Sequence, residues 1–221
     1  MERTFNTPRL KAQIWLMKFT GFVCSLSNEL NSNKKGVILW GNYITTYTRK
    51  HFDPINPDAE LICIEDIAHA LPMIWSGKSG HVSSFWSVGE HCILCAKEAA
   101  SKGYSNRLVL AALLHDASEC YMSDVPRPLK QNMKKYKEYE NHLLDVIYTK
   151  FLGFTLNIDE EKLIKEIDNA LLWYDLKYLL DEESEEKQPK LHVKVDYTVR
   201  SFSEVEKSIW GCSRNIERYR I

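Results

Sequence analysis

The segment NRLVLAALLHDASECY, residues 106–121, is apolar on nearly every side from Val109 to Leu114. A helix without a polar stripe cannot lie on a surface, so other helices must surround it. The spacing predicts one central, buried helix over 106–121. Its neighbours supply the amphipathic faces this requires. ELICIEDIAHALPMIW (60–75) carries Leu61, Ile64, Ile67, Ala68 and Leu71 at helical period. WSVGEHCILCAKEAASKG (86–103) reads as a second helix, with Ser87 and Glu90 placed as a capping box and Gly103 as its stop. A long helix is expected from about Leu129 to Phe151, ending near Gly153. Two more are expected over 159–180 and 203–220. LHVKVDYTV (191–199) alternates and reads as a short strand, while DEESEEKQPK (181–190) reads as a solvated loop. The sum is an all-α helical bundle with a minor β element.

The chain of 221 residues is 44% hydrophobic, enough to build one sizeable core. A formal net charge of −1 lacks the basic footprint of a nucleic-acid binder. No stretch reaches the roughly 18 apolar residues of a membrane span. The closest, AQIWLMKFTGFVCSLS (12–27), follows Arg9 and Lys11, as a signal peptide would, but is interrupted by Lys18. Residues 1–42 have a weak apolar pattern and a turn-rich break at NELNSNKKG, so they are expected to form an N-terminal extension to a domain spanning 43–221. Six cysteines in a chain of this size do not make a disulfide framework. They are read as reduced thiols of a cytoplasmic protein.

Chemistry concentrates in LLHDASECYMSDVPRP (113–128). On one continuous helix, His115 and Glu119 are four residues apart and share a face, with Asp116 one step round. Burying several ionisable groups is costly unless they are paired or bound to a cation, and imidazole with carboxylate suits a divalent metal. His91 and Asp168, on two other apolar helices, would complete a set of two histidines and two carboxylates. Spacing alone leaves bland readings open: a satisfied core histidine, a helix-pairing aspartate, an exposed glutamate. Cys92 and Cys95 spell C-x-x-C but lack a second ligand pair or a βαβ context, so they read as small core residues. His69 reads as a packing or helix-end histidine, and His81 as an exposed loop residue.

The ordered set FDPINPDAELICIEDIAHAL, SVGEHCILCA, AALLHDASECYMSDVPRPLK and IDNALL resembles the HD-domain metal-dependent phosphohydrolase superfamily. The wording is nearest to bacterial and phage HD proteins related to 5′-deoxynucleotidases, over roughly Tyr43 to Leu180. The resemblance implies one divalent metal ion (manganese, cobalt, magnesium, iron and zinc are not distinguished), held by His91, His115, Asp116 and Asp168. It implies Glu119 as the residue that handles the attacking water and Asp124 as a second acid near the leaving group. The implied activity is phosphomonoesterase action on nucleoside monophosphates. The alternatives are a phosphodiesterase, a nucleoside-triphosphate hydrolase, or a non-catalytic metal- or nucleotide-binding module. The implied partners are a small phosphate ester and a second copy of the chain, with no nucleic acid and no membrane. One departure stands out. The Arg–Trp pair of the deoxynucleotidases is absent from MIWSGKSGH, where Ser76 takes the place of the Arg and Trp75 is the nearby indole. Trp75, Lys78, Arg127 and Lys130 are therefore the substrate-binding candidates, although each of the three cations also fits ordinary solvated surface.

Overall fold

In the computed structural model, residues 41–76 and 80–217 are described, with side chains to Arg214. The chain divides into two units, Met1–Gly41 and Asn42–Ile221. The apolar stretch 12–27, the break at 28–36 and Lys78 thus lie outside the described residues.

The second unit opens with a two-stranded antiparallel ribbon, β1 (Ile44–Thr45) and β2 (His51–Phe52), with Ile44 opposite Phe52. Phe52 enters the core while its neighbours stay outside. The ribbon is tied to α1 (Ile64–Ala70) by the buried Asp66. Its carboxylate accepts from the Thr48 amide at 2.7 Å, the Thr48 hydroxyl at 3.0 Å and the Cys63 thiol at 3.1 Å. The helix expected over 60–75 is broken into 3-10 turns at Ala59–Leu61 and Leu71–Met73 on either side of α1. Pro72 explains the second break, because its ring crowds the preceding turn and it has no amide hydrogen to give.

Helix α2 (Val88–Ser101) forms as expected. The Ser87 hydroxyl accepts the Glu90 amide at 3.2 Å, and the Glu90 carboxylate accepts the Ser87 amide at 3.3 Å. Gly103, at φ 76°, ends the turn beyond it. Helix α3 (Asn106–Leu114) follows, with the Ser105 hydroxyl accepting the Leu108 amide at 3.3 Å. Residues Leu110 to Leu114 are all buried. Each such leucine is worth about 1.5–3 kcal/mol of burial, so α3 is the centre of the core. Short helices α4 (Glu119–Met122) and α5 (Arg127–Lys130) lead to the long α6 (Lys134–Leu152), capped by Gly153 at φ 91°. Helix α7 (Ile158–Leu180) starts at a second capping box, Asn157 with Glu160, and α8 (Phe202–Glu217) closes the described chain. Helices α3, α7 and α8 pack around α2, and α6 packs on α3. Among the described residues no helix is long and apolar enough to cross a membrane.

Three further expectations need correction. The central helix does not run to Tyr121: it stops at Leu114, and residues 115–118 form turns before α4. The long helix begins at Lys134, after α5 and a turn, and not near Leu129. No strand forms over 191–199. The alternation there is real, since Leu191, Val195 and Tyr197 pack on the core. The amides of His192 and Val193, however, go to the buried Glu98 carboxylate at 2.8 and 3.1 Å rather than to a neighbouring strand. The segment is an extended strap, held by a side chain.

Candidate metal centre

His91 lies in the first turns of α2, immediately after the capping glutamate, so the cap fixes where its ring points. His115 is the C-cap of α3. Its ring folds back, and Nδ1 donates to the Ala112 carbonyl at 2.9 Å. The backbone beyond tightens into turns: the Ala117 amide reaches Leu114 at 2.9 Å, and the Glu119 amide reaches Asp116 at 3.0 Å. His115, Asp116 and Glu119 are therefore gathered by a tight turn, not by one face of a continuous helix. Asp168 comes from the middle of α7.

These elements bring the four predicted ligands together. His91 Nε2 is 3.2 Å from Asp168 Oδ1, and His115 Nε2 is 3.2 Å from Asp116 Oδ2 and 3.9 Å from Asp168 Oδ1. The His115 hydrogen bond to Ala112 sets the tautomer of the neutral ring: Nδ1 carries the hydrogen, so Nε2 presents a lone pair to a proton or a cation. That atom is buried and has no hydrogen-bond partner among the described residues. A lone pair facing two carboxylate oxygens is repulsive unless a proton or a metal cation stands between them. The arrangement thus demands positive charge. Burial opposes protonation of His115, yet Asp116, then the Cys95 sulfur, outweigh it and hold the imidazole well above its usual range. Burial likewise opposes protonation of His91, and the Cys95 sulfur, Asp168 and Asp175 override it in the same direction. Burial raises the proton affinity of Asp168, but the hydrogen bond with His91 and the charges of His115, His91 and Lys165 drive its pKa far below the carboxylate range.

The buried His/Cys/Asp groups at this point could hold a metal ion. His91, Cys95 and His115 form one set of neighbouring ligand atoms, and Cys92, His115 and Asp116 form another. Both cysteines are fully buried, free thiols, as small core residues should be, and they also adjoin the histidines.

Glu119 opens α4 and is buried. Its Oε1 is 3.4 Å from Lys130 Nζ, while Oε2 has no hydrogen-bond partner among the described residues. Burial pushes its pKa well above the carboxylate range, and the charges of Asp116 and Asp124 push it further. Asp124 follows Ser123, whose φ of 67° and ψ of 159° lie in a region that favours glycine. Tyr136 donates to the Ser123 carbonyl at 2.8 Å and braces that bend.

The substrate-binding candidates separate. Arg127 Nη2 lies 3.7 Å from Asp168 Oδ2 and is half exposed, at the mouth of the cluster. Lys130 is bound between Glu119 and Glu140, the latter at 2.7 Å. Trp75 packs edge-on against Phe85 and its backbone bridges to Ser87, next to the cap of α2. His69 stacks on Tyr47 and pairs with Glu206 at 3.1 Å, and His81 is exposed. A cleft of 390 Å³ between the ribbon, α1 and α4 includes His69, Asp66 and Tyr121 but none of the predicted site residues.

Two residues escaped the sequence reading. Lys165 reaches Asp168 Oδ2 at 2.5 Å from the preceding turn of α7 and is largely exposed. Asp175 is buried, with one oxygen accepting from the Tyr197 hydroxyl at 3.0 Å and the other 3.6 Å from His91 Nδ1. Its signal was its spacing, seven residues and two helical turns after Asp168 on the same face.

No family model matches the chain. It is 38% identical over 112 residues to the uncharacterized protein YfdR of Escherichia coli, a match covering 50% of this chain and 58% of the relative. It is 35% identical over 127 residues to the uncharacterized protein RCAP_rcc00048 of Rhodobacter capsulatus, covering 55% of this chain and 64% of that protein. The chain spans less than two thirds of the length of either relative.

Proposed function

We propose that the protein is a metal-dependent phosphohydrolase, acting as a phosphomonoesterase on a small phosphate ester of the nucleoside monophosphate class. The observation that carries this reading is the unpartnered, buried His115 Nε2 aimed at Asp116 and Asp168. His91, His115, Asp116 and Asp168 would hold one divalent ion there. Such an ion supplies Lewis acidity, lowering the pKa of water and neutralising phosphoryl oxygens.

The remaining roles belong to the chain itself. Glu119 accepts the proton of the attacking water at its buried Oε2, and burial raises its affinity for that proton. Lys130, paired to the other oxygen, holds the carboxylate in place. Asp124 orients or protonates the leaving oxygen. Arg127 and Lys165, exposed beside the outer oxygen of Asp168, draw the phosphate to the mouth of the site. They provide the positive charge that Ser76 cannot.

The test is phosphate release from a panel of nucleoside mono-, di- and triphosphates and an aryl phosphate, each with manganese, cobalt, magnesium or zinc. The expected result is metal-dependent release from monophosphates, abolished in Glu119→Gln. Equal rates in wild type and Glu119→Gln would remove the catalytic reading. Preference for triphosphates or diesters would move the activity to those substrates.

A further inference from the structure

Both cysteines of the α2 C-x-x-C are packed in the core and also adjoin the two histidines of the centre. Cys95 is one helical turn beyond His91, on the same face. Its Sγ lies 3.6 Å from His91 Nε2, the atom that also lies 3.2 Å from Asp168 Oδ1. The ligand atoms of His91, Cys95 and His115 are all within 4.8 Å of one another, and all three residues are buried. We propose that the Cys95 thiolate is a ligand of the same cation as His91 and His115, making the centre a mixed nitrogen, oxygen and sulfur site. This rests on the metal reading given above.

The geometry supports the assignment. With zinc–nitrogen bonds of about 2.0–2.1 Å and zinc–sulfur bonds of about 2.3 Å, a tetrahedral nitrogen–sulfur edge is about 3.6 Å and a nitrogen–oxygen edge about 3.3 Å. The three edges at hand are 3.6 Å for Cys95 to His91, 3.2 Å for His91 to Asp168 and 3.9 Å for His115 to Asp168. The Cys95–His91 and His91–Asp168 edges match those lengths and the His115–Asp168 edge is longer, while the ligand atoms of His91, Cys95 and His115 lie close enough together to share one ion. A plain thiol hydrogen bond to His91 Nε2 would leave the His115 lone pair unanswered, and one cation answers both. On binding, the Cys95 S–H bond breaks, its proton passes to solvent and the sulfur–metal bond forms, with no change of oxidation state. A thiolate selects softer ions, so zinc, iron(II) and cobalt(II) bind in preference to magnesium.

Cobalt(II) titration of the metal-stripped, full-length chain tests this, because thiolate ligation gives a near-ultraviolet charge-transfer band that nitrogen and oxygen ligands do not. The expected result is a band that saturates at one cobalt per chain, is lost in Cys95→Ser and Cys95→Ala, and persists in Cys92→Ala. Circular dichroism checks that the variants fold; the wild-type band shows a thiolate ligand, and the variants decide between Cys95 and Cys92. Cobalt bound with visible bands but no charge-transfer band would overturn Cys95 as a ligand and leave the metal site intact. Loss of the band in Cys92→Ala, with retention in Cys95→Ser, would overturn it equally. Failure of the wild type to take up cobalt would remove both this proposal and the metal reading beneath it.

Discussion

Tyr197 donates its hydroxyl hydrogen to Asp175 at 3.0 Å, and through Asp175 the strap over residues 191–199 reaches His91. The 3.6 Å between Asp175 Oδ2 and His91 Nδ1 is too long for a formed hydrogen bond, so the carboxylate acts by charge. A negative charge there favours hydrogen on Nδ1 and leaves Nε2 open toward Asp168. Residues behind a ligand typically govern 10–100-fold of metal affinity. Asp175→Asn is accordingly expected to weaken zinc binding by roughly 10–100-fold, and Tyr197→Phe to weaken it less. Competition against a chromogenic chelator measures this, and unchanged affinity in both variants would show that Asp175 serves packing alone.

Glu119 separates binding from turnover. Glu119→Gln keeps the size and burial of the side chain but cannot take up a proton. The variant should retain its metal and lose about 10²–10⁴-fold in phosphate release. A parallel loss of metal would place Glu119 among the ligands instead.

The strap makes stability depend on acid pH through Glu98. Burial raises the proton affinity of Glu98, but hydrogen bonds from the His192 ring and from the His192 and Val193 amides outweigh it, and its pKa is lowered. A carboxylate whose folded pKa lies below its unfolded value stabilises the fold above the unfolded value, about 4.3, and that contribution fades as pH falls through the folded one. Glu98→Gln should cost about 1.5–3 kcal/mol at neutral pH and flatten the acid limb of a urea stability profile. The same acid slope in variant and wild type would assign that limb to other carboxylates.

Close approach of backbones at the start of α2 gives a prediction independent of chemistry. A Cβ on Gly89 would sit 3.0 Å from Pro72 N, 3.1 Å from Val205 Cγ1 and 3.2 Å from Leu71 C. Gly89→Ala must therefore shift the Leu71–Met73 turn or α8, and a cost of about 1–3 kcal/mol is expected. Helix propensity alone would make the change stabilising by about 1 kcal/mol, so the sign of the shift in urea midpoint decides which effect wins.

The helices were legible where local chemistry fixes them. Ser87 and Glu90 mark the start of α2, Gly153 ends α6, and the apolar run to Leu114 identifies the centre of the core. The break after Leu114 was not legible, because it depends on the His115 ring taking the Ala112 carbonyl, and neither Gly nor Pro announces it. The strap was mistaken for a strand because alternation reports which side chains face the core, not where the amides go. His91 and Asp168 could be picked out as ionisable groups on apolar helices, and His115 and Asp116 as ionisable groups directly after the apolar run. Asp175 shares the Asp168 face by its spacing, but its contact with Tyr197, 22 residues away in sequence, was not legible. Cys95 reads as packing in the sequence, and its 3.6 Å approach to His91 appears only in the structure.

The central claim is that a divalent cation sits against His115 Nε2. Metal content of the purified, dialysed protein, measured by elemental analysis after growth with trace metals, tests it most directly. The account predicts about one divalent ion per chain in wild type and in Glu119→Gln, and loss of that ion in a folded His115→Ala variant. Full metal content in folded His115→Ala, or no divalent metal in the wild type even after incubation with zinc, cobalt and manganese, would contradict it.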